Sequence, residues 1–309
     1  MYKLNFTTVT PLHISNGEEL ANNFHYTTFR DEIYKIDHYK LSLLLAKMEN
    51  IDFSKEISLR QIEKWIVKHQ LKIIDDASSY SVKIHPTFQN HLENIRRTGR
   101  SQIIEFINSN GRFYIPASSI KGALLTPMNI QSLGIKHADP KIEDRVVFSD
   151  SDFIPNEKFS VYRTEDRPPS NNLICLDPNV TFSLIMRKKG VFDGEQFLRS
   201  LKNYTGTQLM NLRKEVSEFK SKKTGKLRKA DLFLRSIEPI ISLAAKGEPI
   251  INIGFGGGSW FKIKEDQIPE FKSKIPRKDD KEAAHSSFSF LINDDLIHIG
   301  WCKLEIEEL

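Results

Sequence analysis

The stretch "SQIIEFINSNGRFYIPASSIKGALLTP" (residues 101–127) sets a hairpin and a helix start end to end. Isoleucines and aromatics flank "NSNG", whose Asn108, Asn110 and Gly111 tolerate positive φ, so the spacing predicts a hairpin with its turn at 108–111. The chain then meets Pro116, two serines, a lysine and a glycine, and a short apolar run closed by Thr126-Pro127. Ser118 or Ser119 can cap a helix by accepting a bond from a first-turn N–H. The other first-turn N–H groups carry partial positive charge that suits a phosphate. Lys121 would add a full charge there, and Gly122 would let a backbone approach. Plain capping with a packing glycine is the competing reading. The stretch is not a P-loop, because its lysine precedes its glycine.

Outward from this stretch, short strands and helices alternate without a strict βαβ rhythm. "YKLNFTTV" reads as a strand and "FHYTTF" with "EIYKI" as a hairpin. "DHYKLSLLLAKM" reads as a helix capped by Asp37 with Leu41, Leu44, Leu45 and Met48 inward. "SLRQIEKWIVKHQ" reads as a second helix, capped by Ser58 and burying Leu59, Ile62 and Ile66. In the second half "RVVFSDSDF", "KFSVYRT", "NLICLD" and "NVTFSLIMRK" are strands, followed by the helices "GEQFLRSLKNY" and "TQLMNLRKEVSEFKSK". "KADLFLRSIEPIISLAAKG" is helical with Pro239 inside it. A strand "IINI", the run "GFGGGSW", a polar surface insertion and a closing strand "IHIGWCKLEI" complete the pattern. The fold class expected is α+β, as two tandem ferredoxin-like (RRM-like) domains, 1–140 and 141–309, with a glycine-rich C-terminal loop.

With 39% apolar residues in 309, the chain can fill a core, and disorder throughout is excluded. No run of about 18 apolar residues occurs, so no membrane span is expected. The two cysteines, Cys175 and Cys302, fit a reducing cytoplasm and exclude a cysteine-based zinc site. Net charge is +5, and positive charge is clustered: "NLRKEVSEFKSKKTGKLRKADLFLR" (211–235) holds nine Lys/Arg against three acids. "IRRTGR" (95–100) and "MRKKG" (186–190) are smaller basic patches. A solvated helix face explains any one such run; several together suit a polyanion.

Four glycines in the five positions 254–258 are costly to order, so the bare backbone must serve positive φ or a ligand lying against amides. Their spacing breaks the dinucleotide fingerprint. In "TPLHISNG", His13 and Ser15 follow the first strand and could touch sugar and phosphate, or act in catalysis. No histidine spacing suits zinc, and no cofactor is expected. In "FSDSDF", Ser149 and Ser151 alternate with Asp150 and Asp152; paired carboxylates could hold Mg²⁺, but an exposed strand edge explains them more simply.

Taken together, the "PLHI" loop with its Asn16-Gly17, the Ile115-Pro116-Ala117-Ser118-Ser119-Ile120-Lys121-Gly122 string, "FSDSDF" and the glycine-rich run resemble the RAMP superfamily of CRISPR-associated proteins. Their order is similar to that of the fifth-subunit family of the type III-A (Csm) effector complex. That family commonly has glycine at the positions of Ser15 and Ala117 and a basic residue near Leu125, so the match departs there. The resemblance implies guide RNA (crRNA) binding at the 3′ end, docking on the backbone and small subunits of the Csm complex, host trimming nucleases as further partners, and no catalysis by the chain itself. On this reading His13, Ser15, Asn16, Ser118, Ser119, Ile120, Lys121, Gly122, Gly254, Phe255, Gly256, Gly257 and Gly258 face RNA. Arg96, Arg97, Arg100, Lys222, Lys223, Lys226, Arg228 and Lys229 would extend the electrostatic track. Two alternatives stay open: a metal-independent endoribonuclease using His13 or His25 as general acid/base, and a scaffold touching only protein.

Overall fold

The computed structural model describes residues 1–49, 51, 56–89, 92, 102–132, 146–165, 171–188, 193–222, 227–257, 292–293 and 297–309. The alternation in "YKLNFTT" becomes strand β1 (Tyr2–Thr8), with Leu4, Phe6 and Thr8 buried on one face and Lys3, Asn5 and Thr7 on the other. β1 is central to a five-stranded antiparallel sheet. On one side it pairs with β12 (Thr181–Lys188), which in turn pairs with β9 (Val146–Phe148). On the other side lies β15 (Trp301–Glu308), flanked by β13 (Ile250–Asn252). Register sets Phe6 beside Phe182 and Leu304, and Leu4 beside Leu184, so one face is a continuous apolar surface.

Helices α4 (Ala117–Ser132) and α5 (Gly194–Lys222) cover that face through Ile120, Leu124, Phe197 and Leu201. Strands β15, β1, β12 and β9, with α4 after β1 and α5 after β12, have the order of a ferredoxin-like unit. The sequence pattern predicts two such units in tandem. The described strands instead close one, drawn from the start, middle and end of the chain. Its hydrogen bonds run across the expected 140/141 division.

Everything else is inserted into this frame. Between β1 and α4 come β2 (Ser15–Ala21), β3 (Tyr26–Phe29), β4 (Glu32–Ile36), helices α1 (His38–Glu49), α2 (Leu59–Lys68) and α3 (Gln70–Ala77), β5 (Ser78–Ile84), β6 (Gln102–Phe106) and the hairpin β7 (Asn108–Ser109)/β8 (Arg112–Phe113). Between β9 and β12 come β10 (Phe159–Glu165) and β11 (Asn171–Leu176). These form a second, mixed sheet in the order β2-β6-β11-β10-β5-β4-β3, with β14 (Ile292–Asn293) also on β10. Its two parallel pairs, β5/β10 and β6/β11, join the two insertions.

The main buried cluster joins residues of both sheets with those of α4 and α5. Phe106, Phe113 and Phe159 meet with centroids 4.4 to 5.9 Å apart, and Tyr80 packs on Phe113 at 4.9 Å. Each fully buried ring contributes roughly 1.5–3 kcal/mol, so this cluster is strong enough to fix the hairpin that leads into α4.

The local signals are met in part. Asp37 caps α1, its Oδ1 accepting from Tyr39 and Lys40 N–H at 3.0 and 3.1 Å. Asn110 and Gly111 take φ of 51° and 76° in the hairpin turn. The second helix breaks at His69 into α2 and α3; Ser58 makes no side-chain cap, and Leu59 is 53% exposed rather than buried. The two helices read in 194–222 are one: the Thr205 hydroxyl donates to the Ile250 carbonyl instead of capping a new helix, and Gly206 is carried within the helix. Helix α6 (Leu227–Ala245) holds Pro239 and packs Phe233, Ile237, Ile240 and Ile241 with α5 and Trp301. The strand read in "FSDSDF" ends at Phe148. The polar insertion lies outside the described residues.

Candidate nucleic-acid interface

The loop between β1 and β2 is sewn down along its whole length. Val9 and Thr10 N–H donate to the Trp301 carbonyl, and Trp301 N–H donates to Thr10 Oγ1. Leu12 and Leu176 exchange both backbone bonds, and Ile107 N–H donates to the Ile14 carbonyl. Residues 10–14 are buried, with the loop backbone bonded to neighbouring strands on several sides. His13 is fully buried, not the groove-lining group expected from the sequence. Its Nδ1 stands 2.7 Å from the Ile174 carbonyl, which can only accept, so Nδ1 carries the proton. Burial pulls its pKa down to about 4 against the pull of that bond, so the ring is neutral near pH 7.

The glycine-rich run meets this loop. Gly254–Gly257 form a 3-10 turn in which Phe255 N–H donates to the His13 carbonyl at 3.0 Å. The Phe255 ring stands edge-to-face with the imidazole, centroids 5.4 Å apart, and Phe106 does the same at 6.0 Å. Gly254 has φ of 76°, and a Cβ there would lie 2.3 Å from the His13 carbonyl oxygen. Glycine is required at 254 by close approach of the protein's own backbone. The structure thus brings His13 and the glycine-rich run together. Gly258 lies outside the described residues.

Ser15 and Asn16 are occupied within the chain. Ser15 Oγ accepts from Gly17 N–H, and Asn16 Oδ1 accepts from Glu18 N–H. Asn16 Nδ2 donates to Glu105 Oε2 at 2.7 Å. Glu105 is nearly buried and also accepts from Tyr80 Oη and Lys35 Nζ. Burial pushes its pKa up, but the Tyr80 hydroxyl and the Lys35 ammonium outweigh that and leave it below the ordinary carboxylate value. Asn16 therefore belongs to a network tying β2, β4, β5 and β6, a role invisible without the pairing.

The start of α4 is also rearranged relative to expectation. Neither serine is the cap: the helix begins at Ala117, whose N–H donates to Asp150 Oδ1 at 2.7 Å. Asp150 comes from the "SDSD" segment, which runs beside 113–117. Ser151 exchanges bonds with Ile115 through its N–H and Oγ, and Ser149 does the same with Ile185. The two-faced strand read from sequence does not form: Asp150 and Ser151 both reach 115–117 while Ser149 reaches Ile185, so the segment bridges β12 to the approach of α4. Ser118 and Gly122 are exposed on the outer face of the helix, and no atom lies within 4 Å of a Cβ built at Gly122. Ile120 is core, not interface. Lys121 is half-buried on the first turns.

Arg96, Arg97, Arg100, Lys223 and Lys226 lie outside the described residues. Lys222, Arg228 and Lys229 are placed at the facing ends of α5 and α6 by backbone only. Among the described residues no group of three or more His, Cys, Asp or Glu is placed to hold a metal, and no helix is long and apolar enough to cross a membrane.

Residues 5–126 match the RAMP superfamily model. That span starts in β1 and ends in α4, so it holds both the His13 loop and the helix start. A chain of a Csm–crRNA–target RNA ternary complex from a type III-A CRISPR-Cas system shares the fold, with a TM-score of 0.64 at 16% identity over 99% of this chain and 100% of that one. Csm5 of T. onnurineus shares it with a TM-score of 0.56 at 15% identity, over 97% of this chain and 99% of that one. Among curated proteins none matches by sequence. The likeness to the RAMP superfamily carried by the motifs up to Gly122 is thus found again in the match over 5–126, and both solved structures share the fold over nearly the whole length.

Proposed function

We propose that this chain is a non-catalytic, guide-RNA-binding subunit of a type III-A Csm effector complex, seated at the 3′ end of the guide. One observation carries the reading: the fold matches a chain of a Csm–crRNA–target RNA complex end to end, and in it the "PLHI" loop and the glycine-rich turn are locked together at the surface edge of the core. The backbone and small Csm subunits are its protein partners, with host trimming nucleases as further partners in maturing the guide end it caps. Ser118, Lys121 and Gly122 on the first turns of α4 supply a hydroxyl, a cation and an open backbone for phosphates.

Binding of this kind is to backbone, with little base specificity and a steep salt dependence. Lys121→Ala should weaken the assembled complex's hold on guides of every sequence alike and shallow the log K against log salt slope by just under one unit. An unchanged slope in the assembled complex removes Lys121 from the phosphate seat. The endoribonuclease alternative is tested separately by incubating the chain with a repeat hairpin in chelator: a discrete cut lost in a His13 or His25 variant would replace the non-catalytic subunit with an enzyme.

A further inference from the structure

His13 carries an unexplained group. Nδ1–H is committed to the Ile174 carbonyl, so Nε2 is a bare acceptor; it is buried and has no hydrogen-bond partner among the described residues. Leaving a buried polar atom unpaired forfeits its hydration with nothing in return, which asks for a purpose. The ring is walled by Phe106, deep in the core, and by Phe255, which is 42% exposed. Of the two rings against the imidazole, Phe255 is thus the one nearer solvent, and its backbone N–H is anchored to the His13 carbonyl.

Chemistry narrows what can arrive. A neutral imidazole acceptor cannot take a phosphate oxygen, which only accepts. Along a sugar–phosphate backbone the one hydrogen-bond donor is the ribose 2′-hydroxyl, and DNA lacks it. We propose that Nε2 of His13 accepts the 2′-hydroxyl of a nucleotide that displaces the Phe255 ring, so that the joined loop and turn distinguish RNA from DNA. This rests on the RNA-binding reading above and adds selectivity to it. Phe255 is then a cover over the imidazole, displaced when the nucleotide binds.

The test uses the full chain with three single-stranded probes: oligouridine, its 2′-deoxy counterpart and its 2′-O-methyl counterpart, which keeps the oxygen but cannot donate. Oligouridine should bind about fivefold more tightly than either, the worth of one net hydrogen bond. His13→Phe, which fills the site without the acceptor, should abolish that difference; Phe255→Ala should keep it and tighten oligouridine. Because His13→Phe can disturb packing, ¹⁵N-imidazole NMR of the unmodified chain gives a second measurement. The His13 Nε2 resonance should move with oligouridine and stay put with the deoxy and O-methyl probes. Equal affinity for all three probes, or an unmoved resonance at saturation, overturns the proposal and leaves RNA binding standing. Failure to bind any probe removes both.

Discussion

Two glycines show how differently the same residue type can be used. Gly254 is held at φ 76° with its missing Cβ aimed at the His13 carbonyl, 2.3 Å away. Gly122 sits in a helix with open space around it. Gly254→Ala must move the turn or the loop and should lower stability by roughly 2 kcal/mol or more, from backbone strain alone about 1–3 kcal/mol. Gly122→Ala should stabilise by about 0.5–1 kcal/mol through helix propensity. Thermal melts of the two variants check the pair, and opposite signs are the expected result. If Gly122→Ala also weakens RNA binding while raising the melting temperature, the bare position faces the strand. Nothing local in the two stretches tells these roles apart: both read as ligand seats, and only the contact with His13 shows one to be internal.

At the level of elements, the decisive contact is Asp150 on α4. A carboxylate at a helix start satisfies an orphan N–H and meets the dipole's positive end. It also stands where the sequence pattern puts a phosphate. Asp150→Ala should cost about 1 kcal/mol of stability, the usual worth of a cap. Removing a negative charge from the first turn should at the same time tighten RNA binding and leave the salt slope's sign unchanged. Melting temperature and RNA affinity measured on this variant should move in opposite senses; loss of both would show that the cap, not the charge, matters to the site. The hairpin, the α1 cap and most strands were legible in sequence because their signals are local: Asn-Gly at a turn, Asp before a helix, period-two burial. Asp150 reaching Ala117, or Glu105 reaching Asn16, join residues far apart in the chain, and periodicity holds no trace of them.

Across the molecule, acid should undo the fold from its buried histidines outward. Burial holds His13 at about 4 and His298 at about 3, against an ordinary 6.5. The unfolded chain therefore takes up protons first, so stability is complete above about pH 6.5 and falls as pH drops through 4 toward 3. Glu105, held below its ordinary value, adds to the loss at the acid end in the same sense. A melting temperature level above pH 6.5 and declining below it is expected, with a shallower decline in His13→Phe; a flat profile down to pH 4 would contradict the buried neutral ring. The two sheets explain why architecture was only partly legible. The elements are mostly where periodicity puts them, but the chain threads one ferredoxin-like frame and hangs a second sheet on its insertions. Which strand pairs with which depends on non-local register, and β1 finds its partners at 181–188 and 301–308.

That threading has a consequence for how the protein is made. During translation β1 emerges before both its neighbours and must wait, one edge still bare, until residues 301–308 clear the ribosome and slot in between it and β13. A prematurely stopped product would keep a gap in its five-stranded sheet, a template for aggregation rather than a half-working subunit. Completion of the frame is thus tied to late synthesis, and truncated copies are marked for disposal by their own unsatisfied backbone.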